Sequence, residues 1–248
     1  MSSVSILEVK HLKKSYGTKR VLEDISFSIA PGEIVGLLGG NGAGKTTAFY
    51  ITIGLIKADE GIINFKGSNI TNLPIHQRAQ MGMGYLAQEP SVFSDLTVEQ
   101  NILCILEITE KRHQLFSKNQ KQQRLEELLE ELQLTSLAKK KASTLSGGER
   151  RRLEITRALI GQPSLLLLDE PFANVDPLTI DNVKHMMGYL KQKGISILIT
   201  DHNAREIFSC VDKCCLVQNG QVILEGGVQK IISSPLARSC YLGENFTL

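Results

Sequence analysis

The sequence predicts an α/β fold: a mainly parallel sheet with an antiparallel β portion and an inserted α-helical lobe. Three observations predict it. Strand-like runs alternate with helical stretches and end in polar residues, the pattern of a sheet wrapped by helices. Two of these runs, "LLLLDEP" and "ISILITD", are apolar at successive positions instead of alternating, as strands covered on both faces must be. Between about Ser94 and Ile160 no strand signal occurs, and "QQRLEELLEELQL" sets Leu125, Leu128, Leu129 and Leu132 on one helical face.

The elements follow in order. "ILEVKHL" and "GEIVGLLG" read as early strands, and a helix-like stretch "TTAFYITIGL" follows the second. "GIINFKG" is the next strand. The helical lobe then interrupts the core, which resumes with "LLLLDEP" and "ISILITD". "QNGQVILEGG" places an Asn-Gly turn between apolar runs and reads as a hairpin. These signals divide the chain into a core of residues 1–93 and 161–225, a helical lobe of 94–160 and a C-terminal extension of 226–248.

Composition narrows the function classes. The 248 residues are 42% apolar and 5% aromatic, with no window of roughly 18 uninterrupted apolar residues, so no membrane span is expected. The N-terminus "MSSVSILEVKHLKKSYG" lacks the apolar core of a secretory leader, which points to the cytoplasm. Five cysteines (Cys104, Cys210, Cys214, Cys215 and Cys240) match no zinc spacing and read as reduced thiols that pack. A net charge of +2 gives no bias toward nucleic acid, and Lys139 to Lys141 read as a solvated face.

Three stretches carry chemistry. "GGNGAGKT", Gly39 to Thr46, fits G-x-x-x-x-G-K-[ST] between a strand and a helix, the context a phosphate-binding loop requires. Its glycines let backbone N–H groups curl around phosphate oxygens, Lys45 adds a cation, and the Thr46 hydroxyl suits Mg²⁺. "LLLLDEP" ends a buried strand with two adjacent carboxylates, so that Asp169 can address a metal and Glu170 an attacking water. In "LSGGERRRLEITRAL", Ser146 and Glu149 fit a capping box. Capping does not explain Gly147 and Gly148, each of which costs its helix about 0.5 to 1 kcal/mol relative to Ala. Bare backbone at a helix N-terminus suits an anion, and the chain already has one nucleotide loop, so this second site is expected to serve another subunit's nucleotide.

"GNGAGKTT", "LSGGERRR", "LLLLDEPFANVDP" and "ITDHN" occur in the order shown by the ATP-binding cassette (ABC) ATPases, and the chain resembles that family over essentially its whole length. The resemblance implies a P-loop NTPase with a RecA-like core, in which two subunits sandwich two ATP molecules with Mg²⁺. It assigns nucleotide contacts to Gly39, Gly40, Asn41, Gly42, Ala43, Gly44, Lys45, Thr46 and Thr47, and adenine stacking to Tyr16. It gives metal and water contact to Gln88, with Thr46 and Asp169 on Mg²⁺, and the partner's γ-phosphate to Ser146, Gly147, Gly148 and Glu149. Asp176 falls in the cross-dimer loop, Glu170 is the base and His202 the γ-phosphate switch. Plainer readings stay open: a surface aromatic for Tyr16, a turn residue for Gln88, a helix cap for Asp176 and a core or capping histidine for His202. Gly40 and Asn174 depart from the commoner Pro and Gly of the family.

A single cassette without a membrane span implies partners, namely a second copy and two integral membrane permease subunits. Val92 and Phe93 precede a helix whose start, Thr97-x-x-Gln100, fits a capping box, and in the family this is where a membrane subunit docks. Phe93 could instead staple the lobe to the core. "LLGGNGAGKTTAFY", "DEPFANVDP", "ITDHNAREI" and "YLGENFTL" resemble the ATPase subunits of lipopolysaccharide exporters. This implies a homodimer on the cytoplasmic face of an inner membrane, with branched-chain amino acid importers or soluble ABC ATPases acting on ribosomes or DNA as alternatives.

Overall fold

The computed structural model describes residues 5–89, 91–113, 118–173 and 175–247. A hairpin opens the chain, β1 (Leu7–Tyr16) with β2 (Lys19–Ile29), and β3 (Ile34–Leu38) leads through the glycine-rich loop into α1 (Lys45–Ile53). β4 (Glu60–Phe65), β5 (Ser68–Asn69), α2 (Ile75–Gln80) and β6 (Met83–Leu86) follow. Only helical elements then occur among the described residues up to the next strand: α3 (Val98–His113), α4 (Lys118–Glu131), two 3-10 turns and α5 (Gly147–Leu159). The remainder is β7 (Leu165–Asp169), α6 (Pro177–Gln192), β8 (Ser196–Thr200), α7 (Ala204–Phe208), β9 (Lys213–Gln218), β10 (Gln221–Gly226), α8 (Val228–Ser233) and α9 (Pro235–Ala237). A π-helical turn, Arg238–Leu242, ends it.

The strands form one sheet in the order β5-β4-β1-β2-β10-β9-β3-β8-β7-β6. From β9 to β6 all pairings are parallel, while β1, β2, β4 and β5 pair antiparallel. A single residue pair, Gln221 with Asp24, joins the two portions. The β9–β10 hairpin closes through Asn219 and Gly220 at φ 47° and 72°, the backbone an Asn-Gly turn favours.

Burial explains the unbroken apolar runs. Every residue of β3, β7 and β8 is buried. Leu165 and Leu167 point into an apolar cluster with α1 and the antiparallel strands, whereas Leu166 and Leu168 point into one with the helical segment, α6 and α8. A strand sandwiched between two apolar clusters has no solvent face to make polar. The expected leucine face packs as predicted: Leu125, Leu128 and Leu129 of α4 and Leu132 just after it are all buried. α3 starts with the expected reciprocal cap: Thr97 N–H donates to Gln100 Oε1 at 2.9 Å and Gln100 N–H to Thr97 Oγ1 at 3.2 Å. The C-terminal residues pack on the same cluster, the Phe246 ring edge-on to Phe208 at 5.8 Å. Among the described residues no helix is long and apolar enough to cross a membrane.

Candidate active site

β3, β7 and β8 lie side by side and parallel, so their C-terminal ends bring three loops together. The first is the glycine-rich loop. A Cβ on Gly39 would stand 2.2 Å from the Val217 carbonyl oxygen, and its φ of 147° is reached readily only by glycine. Gly39→Ala is therefore expected to lose about 2 kcal/mol or more, which lowers Tm by roughly 5 °C or more, and to abolish ATP binding. Calorimetry and equilibrium dialysis check this; wild-type melting with intact ATP binding contradicts it. Gly44 caps α1 without a side-chain hydrogen bond, so no side chain competes for the first-turn N–H groups. Lys45, 6% exposed, folds back and donates to the carbonyls of Gly39 at 2.7 Å and Gly40 at 3.0 Å. Burial lowers its pKa, and the nearby Glu170 carboxylate opposes that shift. An incoming phosphate would exchange those two carbonyls for anionic oxygens. Asn41, Gly42, Ala43, Thr46 and Thr47 complete the loop and the first turn of α1.

The second loop follows β7. Asp169 is buried and accepts from Thr200 Oγ1 at 3.0 Å and from the Tyr85 hydroxyl at 3.5 Å. Burial first, and the Asp169 carboxylate second, raise the pKa of the Tyr50 and Tyr85 hydroxyls, keeping both as neutral donors. Glu170 adopts φ 45°, unusual for a residue with a side chain, and its N–H donates to the Thr200 carbonyl at 2.8 Å. That turn aims the carboxylate out of the sheet. Gln88 Nε2 donates to Glu170 Oε2 at 2.9 Å, and His202 Nε2 meets Glu170 Oε1 at 2.6 Å. Residues 82, 114 and 32 positions apart in the sequence order 88, 170 and 202 thus converge: Gln88, Glu170 and His202 form one hydrogen-bonded cluster. A carboxylate held by an amide and an imidazole is placed to take a proton from a water. His202 is half exposed, which rules out the core-histidine reading.

Asp201 was not singled out from the sequence, yet it is buried and ties the second loop to the third. Its Oδ2 accepts from Phe172 N–H at 2.9 Å and its Oδ1 from Asn203 N–H at 3.0 Å. Its place beside His202 at a strand end was the available signal. Thr200 and Tyr85, the donors to Asp169, carry no signal that separates them from ordinary strand residues.

The signature segment begins α5. Ser146 N–H donates to Glu149 Oε2 at 2.8 Å and Glu149 N–H to Ser146 Oγ at 3.3 Å, the predicted capping box. The bond from the Ser146 N–H, the largest cause, lowers the Glu149 carboxyl pKa. A Cβ on Gly147 would meet nothing nearer than Thr179 Oγ1 at 3.8 Å, and one on Gly148 the same atom at 3.4 Å. Both are ordinary contacts, so nothing inside the chain demands glycine there. Asp176 caps α6, accepting from Thr179 N–H at 3.0 Å and Thr179 Oγ1 at 2.6 Å, so its helix-cap role is present. Asn174 lies outside the described residues.

Tyr16, Val92, Phe93 and Asp176 take no part in the hydrogen-bonded cluster, whereas Gly147 lines one cavity with Gln88 and Glu170. Tyr16 ends β1, about half exposed, with the Lys14 ammonium 5.7 Å from its ring centroid. Val92 packs partly against the core, whereas Phe93 is 43% exposed beneath the Arg157 guanidinium, 4.8 Å from its ring centroid. Gly40 has no atom within 4 Å of an added Cβ.

A glycine loop on β3, a buried lysine and an Asp-Glu pair ending a central strand define the chain as a P-loop nucleotide-binding ATPase. The ABC transporter family profile matches residues 22–173. The chain belongs to the ABC transporter family, as an ATP-binding subunit with ATPase activity coupled to transport. It is 46% identical over 237 residues to a probable ABC transporter ATP-binding protein of Azorhizobium caulinodans, covering 96% of this chain and 83% of that one. It is 44% identical to the lipopolysaccharide export system ATP-binding protein LptB of Acidithiobacillus ferridurans, covering 98% and 99% of the two chains. The LptB of Escherichia coli K12 is 42% identical, with 99% and 100% covered. A crystal structure of an ATP-binding cassette of an ABC transporter in its ADP conformation matches with a TM-score of 0.85 at 31% identity, over 97% of this chain and all of that one.

Proposed function

We propose that this chain is the motor of a lipopolysaccharide exporter, a homodimer that closes around two ATP molecules on the cytoplasmic face of an inner membrane and drives two integral membrane subunits. One observation carries the dimer: Gly147 and Gly148 leave the start of α5 bare although neither their backbone nor their neighbours require glycine. Their use comes from outside the chain, where bare N–H groups at the start of α5 take the γ-phosphate held by the partner's loop. The cargo rests on the relatives named for lipopolysaccharide export at 44% and 42% identity.

In this reading the loop from Gly39 to Thr47 holds the phosphates, Tyr16 stacks on adenine, Glu170 takes the proton of the attacking water, and His202 contacts the γ-phosphate. Asp176 lies in the cross-dimer loop, and residues 94–160 move as a lobe against the core. The donors fit Mg²⁺. Thr46 and Asp169 offer hard oxygens, and Gln88, donating its N–H to Glu170, keeps its carbonyl oxygen as an acceptor. Among the described residues no cluster of three or more His, Cys, Asp or Glu forms a complete cage. A few protein oxygens completed by water and phosphate are what Mg²⁺ takes in such sites. Mg²⁺ held there would supply positive charge to offset the negative charge developing on the transferred phosphoryl group.

Phe93, exposed and a few residues after Gln88 in the chain, lines the groove that receives the membrane subunit. Phe93→Ala is expected to release the membrane subunits while fold and basal ATPase persist; unchanged co-purification contradicts docking there. The identity test is to solubilise native membranes gently with ATP and identify the proteins that co-purify with the tagged chain. Two lipopolysaccharide-exporter membrane subunits are expected. An amino acid permease replaces the cargo, and ribosomal or DNA-bound partners overturn the transport reading.

A further inference from the structure

The stretch from Ala87 to Phe93 carries Gln88 at one end and the exposed Phe93 at the other, and side chains of α5 hold it at Ala87 and Ser91. Arg151 Nη1 donates to the Ala87 carbonyl at 3.3 Å. Both backbone groups of Ser91 are taken: its N–H donates to Glu154 Oε1 at 3.2 Å, and its carbonyl accepts from Arg157 Nη1 at 2.5 Å. On the other side, Asn101 of α3 accepts from Phe93 N–H at 2.9 Å and donates to its carbonyl at 3.0 Å. Arg151, Glu154 and Arg157 stand three residues apart, forming one inward stripe of the helix whose first residues are Gly147 and Gly148.

Glu154 is the centre of this grip. It is 4% exposed, and its second oxygen, Oε2, accepts from Arg151 Nη1 at 2.9 Å. A buried ion pair within one helix is weak support for stability, since apolar side chains of similar volume serve as well or better. This pair is also incompletely satisfied: Arg151 Nε and Nη2 are buried without hydrogen-bond partners. What an apolar pair could not supply is an acceptor for the N–H of Ser91, which lies 63 residues away in the chain.

We propose that Glu154 is a positioning residue that locks the loop between Gln88 and Phe93 to the signature helix, so that a push on Phe93 turns the glycines of α5. The proposal rests on the docking reading of Phe93. It predicts separable consequences for stability, basal hydrolysis and coupling.

The test compares wild type with the double variant Arg151→Met/Glu154→Leu, each measured as the isolated chain and as the complex purified with its membrane subunits. The double variant is expected to melt at or above the wild-type Tm, to retain the membrane subunits and to keep the isolated chain's ATPase rate. The ATPase rate of its complex is expected to fall roughly tenfold, within the span of ordinary coupling energies. Glu154→Gln, which keeps an acceptor for Ser91 N–H, is expected to restore most of the rate of the complex.

A double-variant complex running at the wild-type rate overturns the proposal. So does an equal fall in the isolated chain, which would make the pair part of hydrolysis itself. Should the double variant not fold, Glu154→Asp decides, because it keeps the charge beside Arg151 but draws the carboxylate back from Ser91. It is expected to slow the complex several-fold, and an unchanged rate overturns the grip. Retention of the membrane subunits by Phe93→Ala overturns the docking reading and with it the push on Phe93, whereas the rates of the Glu154 variants test the grip on Ser91 separately, which keeps the two failures distinct.

Discussion

Glu170→Gln is expected to bind ATP at least as tightly as wild type and to turn it over roughly two to four orders of magnitude more slowly, the range for loss of a general base. The substitution conserves shape. One hydrogen-bonding end can still meet Gln88 or His202, and the backbone bond from residue 170 to the Thr200 carbonyl at 2.8 Å is untouched. What vanishes is basicity, since an amide cannot take the proton of an attacking water. Binding should not suffer, because Lys45 and the loop glycines are unaltered and the charge removed is a negative one near the phosphate-binding cation. Nucleotide titration and single-turnover hydrolysis measure the two quantities separately. Near-normal turnover would remove Glu170 from its role.

Gly148→Asp separates the fold from the assembly. Within the chain the new Cβ meets Thr179 Oγ1 at 3.4 Å, an ordinary contact, and Gly148 does not occupy a left-handed backbone. A carboxylate in the first turn of α5 interacts favourably with the helix dipole, by about 0.3 to 1 kcal/mol. Stability is thus expected to hold or rise slightly. If the start of α5 takes a partner's γ-phosphate, the same carboxylate puts like charge against it at close range. ATPase activity is then expected to fall by roughly a hundredfold or more, since one lost anion contact in a water-excluded site already costs that much, with ATP still bound by the phosphate loop. A stable variant with wild-type hydrolysis would show that the glycines serve no nucleotide.

Much of this arrangement is readable from the residues, for physical reasons that also mark where reading stops. Unbroken apolarity in "LLLLDEP" exposes β7 as a strand with both faces covered, and the same argument places a site at its end. β2 escapes such reading, because its burial alternates irregularly and β-bulges interrupt its pairing with β1. The Asp169-Glu170 pair, the glycine-rich loop and the capping box are local patterns and legible as such. Convergence is not local. That Gln88 and His202 both hold Glu170 follows from the parallel neighbours of β7, not from any spacing in the chain. Arg151, Glu154 and Arg157 mark the other limit: in sequence they look like the solvated charges of any helix, and only packing turns the stripe inward. Asp176 shows that one residue can answer to two readings, since capping α6 leaves its place near the start of α5 unchanged.

The central claim is that two copies close around nucleotide. The most direct test is the mass in solution of Glu170→Gln, measured by sedimentation with and without ATP and Mg²⁺. One chain without nucleotide and two chains with ATP, reverting to one when Gly148→Asp is added, is the predicted result. A variant that binds ATP fully and still sediments as a single chain would contradict the shared site and return the signature glycines to an unexplained feature of α5.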